Sequence, residues 1–271
     1  MTRKRERSEL LSEHKILKFD SSRGKFKLVN DVIVVEDLVN LYINNGLYMI
    51  FHCLPLQIRE LSIGHLLTEG IIARIEEILE TKVHGKNIYV KLARNLPHKN
   101  KEEIQFISTM CGEGRFKVPP RTLRAARKLK FNRTKFHTEI IFTAAKTLNS
   151  RASIFRVSGG THAAAILDKN GMLIAFAEDI SRHNAVDKVI GEAALKKADL
   201  GETLLASTGR LTSEIVIKTL QVGIPVLASL SAPTDKGVKL AETLGLTLIG
   251  FIRGKHFNIY SSPERIERNR T

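Results

Sequence analysis

Apolar positions follow two regimes along the chain, irregular in the first half and regular after Arg151. The stretch VNDVIVVEDLVNLYINNGLYMIF, which ends at Phe51, is rich in β-branched and aromatic residues and predicts strands. Asn44-Asn45-Gly46 marks a hairpin turn inside it. Pro55 ends that run. From Gln57 to Ile71 the leucines at 61, 66 and 67 sit near helical spacing, and Gly70 closes the helix. Ile88–Leu92 and Glu103–Ile107 read as two more strands. Residues 28–118 therefore predict a small α+β domain. Before it, residues 1–27 are polar and basic and predict a loose arm or edge strand. From residue 119 onward, Pro119-Pro120 opens a basic helix, RTLRAARKLKF, and a second helix is predicted over Thr134–Leu148. After Arg151 the apolar strings ASIFRV, GMLIAFA, TLLAS, PVLASL and TLIGFI read as strands. They alternate with the helical strings NAVDKVIGEAALKKA, TSEIVIKTLQVG and TDKGVKLAETLG. Such alternation predicts an open α/β sheet with helices on both faces over 119–271.

Charge adds a second constraint. The 271 residues carry 43 Lys+Arg against 28 Asp+Glu, a formal +15, which calls for an anionic partner. Between Glu113 and Glu139 there is no acidic residue and there are nine cations: Arg115, Lys117, Arg121, Arg124, Arg127, Lys128, Lys130, Arg133 and Lys135. Nucleic acid is supported by charge alone, because Trp is absent and Tyr sparse, which leaves few base-stacking platforms. No apolar run reaches the ~18–20 residues of a membrane helix. The charged N-terminus lacks a secretory apolar stretch, so a cytoplasmic protein without membrane association is expected. Only Cys53 and Cys111 are present, which excludes a disulfide framework and a cysteine-based zinc site. No metal site is predicted.

Candidate chemistry gathers where the carboxyl ends of the predicted strands should lie, the usual ligand edge of an open α/β sheet. Ser158 to His162, with Gly159 and Gly160, follows one predicted strand. Glu178, Asp179, Arg182, His183 and Asn184 follow the next, with Asp187 and Lys188 close behind. Thr208-Gly209-Arg210 follows another, with Thr212 and Ser213 placed to cap a helix. Ser231 to Thr234 precedes the last helix, and Phe251, Ile252, Arg253, Gly254, Lys255 and His256 end the final parallel strand. Helix starts offer backbone N–H groups to anions. With Arg182, Arg210, Arg253 and Lys255 added, the expected ligand is phosphate-rich. The density of mixed charge at 178–188 beside a buried strand is more than a structural helix needs and marks a candidate functional turn. The bland reading of the 178–188 stretch is a satisfied salt-bridge network. Neither a Walker phosphate loop nor a dinucleotide G-x-G-x-x-G is present. His137-x-Glu139 matches half of a zinc-deaminase signature, but P-C-x-x-C is missing, so His137 reads as a helix-surface residue. Cys111 is the nucleophile candidate, because the nearby cations Arg115, Lys117 and Arg121 favour its thiolate. Cys53, inside an apolar run, reads as an inert buried thiol.

The strings SGGTHAAA, EDISRHNAVDKVIG, STGRLTSEIVIK, SAPT and GFIRGKHFNIYSSPERI, together with IGHLLTEGII, are similar to those of the FdhD family. These are sulfur carrier proteins required for formate dehydrogenase activity. The resemblance runs from about Glu36 and leaves the basic arm out. It implies a cytidine-deaminase-like three-layer α/β/α domain with a smaller N-terminal domain, in a homodimer. It implies transfer of persulfide sulfur from a cysteine desulfurase to the molybdenum or tungsten bis(molybdopterin guanine dinucleotide) cofactor, before insertion into apo formate dehydrogenase. The family's sulfur-carrying cysteine falls on Cys111 and its cofactor-binding string on Phe251–His256. Many members carry a C-x-x-C loop, whereas here Gly114 stands in place of the second cysteine. One thiol suffices to hold a persulfide but cannot pass sulfur to a neighbour. The alternative is a chaperone that binds and delivers the cofactor without moving sulfur.

Overall fold

The computed structural model describes residues 10–94, 105–107, 120–129 and 131–268, with backbone alone for 105–107. Strands β1 (Leu11–Asp20) and β2 (Lys25–Val34) form an antiparallel hairpin in register from Leu11↔Val34 to Asp20↔Lys25. It crosses the expected boundary at residue 27. Lysines between its apolar residues disguise the alternation that a strand needs. β3 (Asp37–Ile43) and β4 (Gly46–Cys53) make the second hairpin. Its turn holds Asn44 and Asn45 at φ 47° and 71°, the left-handed pair that a tight hairpin demands. β5 (Ile78–His84), β6 (Asn87–Leu92) and β7 (Gln105–Ile107) complete a sheet of order β5-β6-β3-β4-β7. Helix α1 (Ile58–Thr68) ends as expected at Gly70, φ 67°.

The second half begins with α2 (Pro120–Leu129), a short β8 (Phe136–His137) and α3 (Thr138–Arg151). His137 is exposed at the start of α3. ASIFRV departs from the expectation: Ser153–Ser158 is a helix, α4. The Glu178 carboxylate accepts from the amides of Ile154 and Phe155, satisfying N–H groups that a helix start leaves orphaned. The strand comes later, as β9 (His162–Asp168), followed by β10 (Leu173–Asp179) and α5 (Arg182–Leu195). β11 (Thr203–Ser207), α6 (Ser213–Gln221), β12 (Val226–Ser229), α7 (Asp235–Leu244), β13 (Thr247–Arg253), β14 (His256–Ser261) and β15 (Ile266–Glu267) follow.

The main sheet has the order β10-β9-β11-β12-β13-β14. Only β11, β12 and β13 run parallel to one another, so the sheet is mixed. Helices cover both faces. Ala163, Ala165 and Leu167 of β9 pack with Ile141 and Leu148 of α3. Ala164 and Ile166 face the opposite way, into a cluster with Val186 and Ile190 of α5 and Leu61 of α1. A strand squeezed between two helical layers takes small side chains, which is why its propensity signal is weak. The two halves touch closely where α1 crosses α5. A Cβ on Gly64 would lie 1.7 Å from the Asp187 carbonyl oxygen, and one on Gly191 1.9 Å from that of Glu60.

Candidate functional site

At the carboxyl edge of β11, β12 and β13 lie two adjoining cavities of about 790 and 610 Å³, which share Asn149 and Leu230. Each has the size of a small-ligand site. The larger is walled by Phe142 and Lys146 of α3 and by Ile252, Arg253 and Gly254. The smaller is walled by Phe155 and Arg156 of α4, by Gly159, Gly160, Thr161 and His162, and by Thr208. Lys146, Arg156 and Arg253 bring three cations to this groove, and no carboxylate lines it among the described residues. Such a groove favours an anion.

Local backbone shapes both ends. Phe251 sits at φ 53°, a left-handed conformation that costs a bulky residue about 1–3 kcal/mol. Pairing between β13 and β14 is interrupted there, and the turn closes through Gly254 at φ 57°. The strain aims Arg253 so that its guanidinium stacks 5.3 Å from the Phe251 ring centroid. At the other end Gly159, φ 69°, terminates α4. Gly160 is packed so closely that a Cβ would meet Val34 at 2.5 Å. Ser and Thr hydroxyls lace the intervening loops. Thr208 Oγ1 accepts from the Ala163 amide, Ser231 Oγ donates to the Thr208 carbonyl, and Ser229 Oγ to that of Gly209. Thr234 caps α7 through the Gly237 amide, whereas Thr212 occupies the start of α6 without a side-chain cap bond. His162 Nδ1 lies 3.3 Å from Thr208 Oγ1. Burial, then the Arg182 charge, lowers its pKa, so the imidazole entering the groove is neutral at neutral pH.

The charge-dense stretch 178–188 divides in two. Glu178 lies behind the groove, where it holds α4 and accepts from the Thr161 hydroxyl at 2.9 Å. Asp179, Asn184, Asp187 and Lys188 turn toward the N-terminal half, whereas Arg182 and His183 stay within the C-terminal half. Buried Asp179 pairs with buried Lys188 at 2.6 Å and accepts from the Leu54 and Ser181 amides. Asn184 donates to the His52 carbonyl and to Asp179. Asp187 binds Lys218 at 3.0 Å, the Thr68 hydroxyl at 2.8 Å and His65 at 3.4 Å. Lys218 also reaches Glu69 at 2.8 Å. Burial by itself would raise the Asp187 pKa, but Lys218 and His65 outweigh it and bring it to about 2. Burial likewise opposes the Lys218 charge, and Asp187 with Glu69 raises its pKa nonetheless. His183 faces Glu214 at 3.4 Å, yet burial and the Lys218 charge push its pKa down to about 3. Gly209 packs on Arg182, where a Cβ would stand 2.7 Å from that of the arginine.

Of the residues expected from sequence, the groove gathers Gly159, Gly160, His162, Ile252, Arg253 and Gly254 in its walls. Asp179, Arg182, His183, Asn184, Gly209, Arg210, Ser231 and Thr234 are not among its lining residues. Lys255 in the turn and His256 at the start of β14 are exposed. Cys111, Arg115, Lys117 and Lys130 lie outside the described residues. Buried Cys53 has its thiol pushed up to about 12, chiefly by burial, which disfavours its thiolate. Sequence reasoning missed Lys146, Asn149 and Arg156. Arg156 was hidden because its segment reads as a strand. Lys146 and Asn149 sit on the helix before it, with no loop signal to mark them. The salt-bridge alternative for 178–188 holds for Asp187, but its partners Thr68, Glu69 and Lys218 were missed, although they fall in the strings IGHLLTEG and STGRLTSEIVIK.

Fold and groove define a two-part α/β protein with an anion-receptive cleft at the carboxyl edge of a mixed sheet. The sequence profile of the FdhD/NarQ family matches residues 34–267, and the chain belongs to that family. It is 35% identical over 243 residues to the sulfur carrier protein FdhD of Sulfolobus acidocaldarius, covering 88% of this chain and 92% of that one. It is 32% identical to the FdhD of Bacillus subtilis, covering 90% and 94%. A crystal structure assigned to a formate dehydrogenase accessory protein of Desulfotalea psychrophila superposes with a TM-score of 0.77 at 25% identity, covering 95% of this chain and all of that one.

Proposed function

We propose that this protein is a sulfur carrier. It takes a sulfur atom onto Cys111 from a cysteine desulfurase and delivers it to the bis(molybdopterin guanine dinucleotide) cofactor of a formate dehydrogenase. The observation that carries the reading is the groove at the ligand edge, where Lys146, Arg156 and Arg253 meet and no carboxylate lines the walls among the described residues, in a chain whose relatives are named sulfur carriers.

The cofactor is cargo here. Its guanine dinucleotide arms bear pyrophosphates, which suit the cationic donors of the groove. Lys146 and Arg253 hold phosphate oxygens, and the Gly159–Gly160 turn lets the ligand approach the backbone. The neutral His162 contributes a hydrogen bond without charge. Loading is a thiol exchange. The Cys111 thiolate attacks the terminal sulfur of the donor's persulfide, and the bond between the donor's two sulfurs breaks. The electron pair leaves with the donor thiolate, and the terminal sulfur stays on Cys111. No net oxidation occurs, and one cysteine is enough, so Gly114 does not block the step.

The test is formate dehydrogenase maturation in cells whose own carrier has been deleted. Cys111→Ala should leave the enzyme inactive while the purified variant still binds GDP as the wild type does. Full maturation by Cys111→Ala would overturn the reading and favour a chaperone that moves no sulfur.

A further inference from the structure

A second trough lies at the opposite, amino-terminal edge of the parallel strands. Two cavities of about 610 and 380 Å³ share Ala73, Gly201, Gln221 and Val222. Gly201 precedes β11, and Gln221 and Val222 precede β12. The outer wall is α2, through Arg121, Arg124, Ala125 and Leu129. This helix is pinned at both ends. Thr122 Oγ1 donates to Gln221 Oε1 at 2.6 Å, and buried Arg265 donates to the Leu129 carbonyl at 2.9 Å. Its outward side is therefore a fixed surface.

That surface has the composition of a protein interface. On α2, Leu123 is 44% exposed and Arg124 and Arg127 are exposed, and just past the helix end Phe131 is 79% exposed and Arg133 is exposed. Arg74 stands exposed on the facing wall. None of these arginines makes an ion pair among the described residues. α2 contains no acidic residue. Exposed aromatic and aliphatic side chains set among arginines, over an apolar floor, are what binding hot spots are made of. Glu76 and Asp199 also line the trough, but Arg74, Arg121, Arg124 and Lys197 outnumber them, and the net positive sign selects an acidic partner.

We propose that the α2 trough docks an acidic surface of the protein that donates sulfur to Cys111. This rests on the sulfur-carrier reading above. Two facts favour the donor over the enzyme that receives the cofactor. Cys111 is nine residues before Pro120 in the chain, a tether of at most about 30 Å. The trough also lies on the far edge of the sheet from the cargo groove, so a donor seated there leaves that groove open.

The test uses the full chain and the cysteine desulfurase of the same organism. Arg124→Glu with Phe131→Ala should weaken desulfurase binding about tenfold or more. The exposed positions leave the melting temperature and GDP affinity unchanged. Cys111 in the double variant should take sulfur from inorganic polysulfide at the wild-type rate, and from limiting desulfurase more slowly. Wild-type binding should weaken with rising salt and persist with GDP bound. Unchanged desulfurase affinity in the double variant overturns the docking proposal alone. So does a variant that loses only RNA binding. A wild-type protein that neither binds the desulfurase nor accepts its sulfur overturns the sulfur-carrier reading as well.

Discussion

Replacing Lys218 by methionine removes one charge from the contact between the two halves of the chain while nearly conserving volume. Lys218 and Asp187 are almost wholly buried, 3.0 Å apart. Without Lys218, Asp187 keeps the Thr68 hydroxyl at 2.8 Å and His65 at 3.4 Å but loses its counter-ion. Breaking a buried pair by removing one member costs roughly 3–5 kcal/mol. Lys218 and His65 hold the Asp187 carboxyl below its ordinary range, at about 2, against the opposing effect of burial. In the wild type this stability is fully present above the ordinary carboxylate range and disappears as the pH falls through the folded value near 2. In Lys218→Met the sign reverses. Burial then dominates and lifts the carboxyl above its unfolded value, so lowering the pH protonates it and relieves the variant. Urea unfolding followed by circular dichroism should show a loss of about 3 kcal/mol or more at neutral pH, narrowing toward mildly acidic pH. GDP affinity of the folded variant should be unchanged, because the network lies outside the groove. A loss under about 1 kcal/mol, the scale of an exposed ion pair, would refute this reasoning. So would a loss that grows with acid.

Three further outcomes are expected. Gly64→Ala should destabilise the protein by about 3 kcal/mol or more in urea melts, because α1 must retreat from α5 to clear a contact of 1.7 Å; a near-neutral effect would show that the crossing is looser than described. Glu178→Gln replaces a carboxylate that caps α4 and orders Thr161, so it should cost about 1–3 kcal/mol and weaken GDP binding in calorimetry, whereas unchanged GDP affinity would detach α4 from the site. Lys146→Ala and Arg253→Ala should each reduce GDP affinity about tenfold and flatten its salt dependence; wild-type affinity in both would move the ligand elsewhere.

The alternating strands and helices after Leu195 were readable because each strand is short, apolar and bounded by a cap or a glycine. Gly70 and the Asn44–Asn45 turn were readable for the same reason, since few residues accept a left-handed backbone. The failures share a cause in tertiary context. Ser153–Ser158 becomes a helix because a distant residue, Glu178, satisfies its amides. His162–Asp168 becomes a strand despite three alanines because two helical layers press on it. The dense charge of 178–188 was visible, but its direction was not. Asp179, Asn184 and Asp187 are directed to Leu54, His52, Thr68 and Lys218, partners far away in sequence. Half of the groove came from loops that the sequence marked. The other half, Lys146, Asn149 and Arg156, came from helix faces that carry no distinguishing pattern.

If Cys111 carries sulfur, incubation with a cysteine desulfurase and free cysteine should add the mass of one sulfur atom in intact-protein mass spectrometry, mapped to Cys111, removed by a thiol reductant and absent in Cys111→Ala. A wild-type protein that stays unmodified, or that carries the sulfur on Cys53, would contradict it.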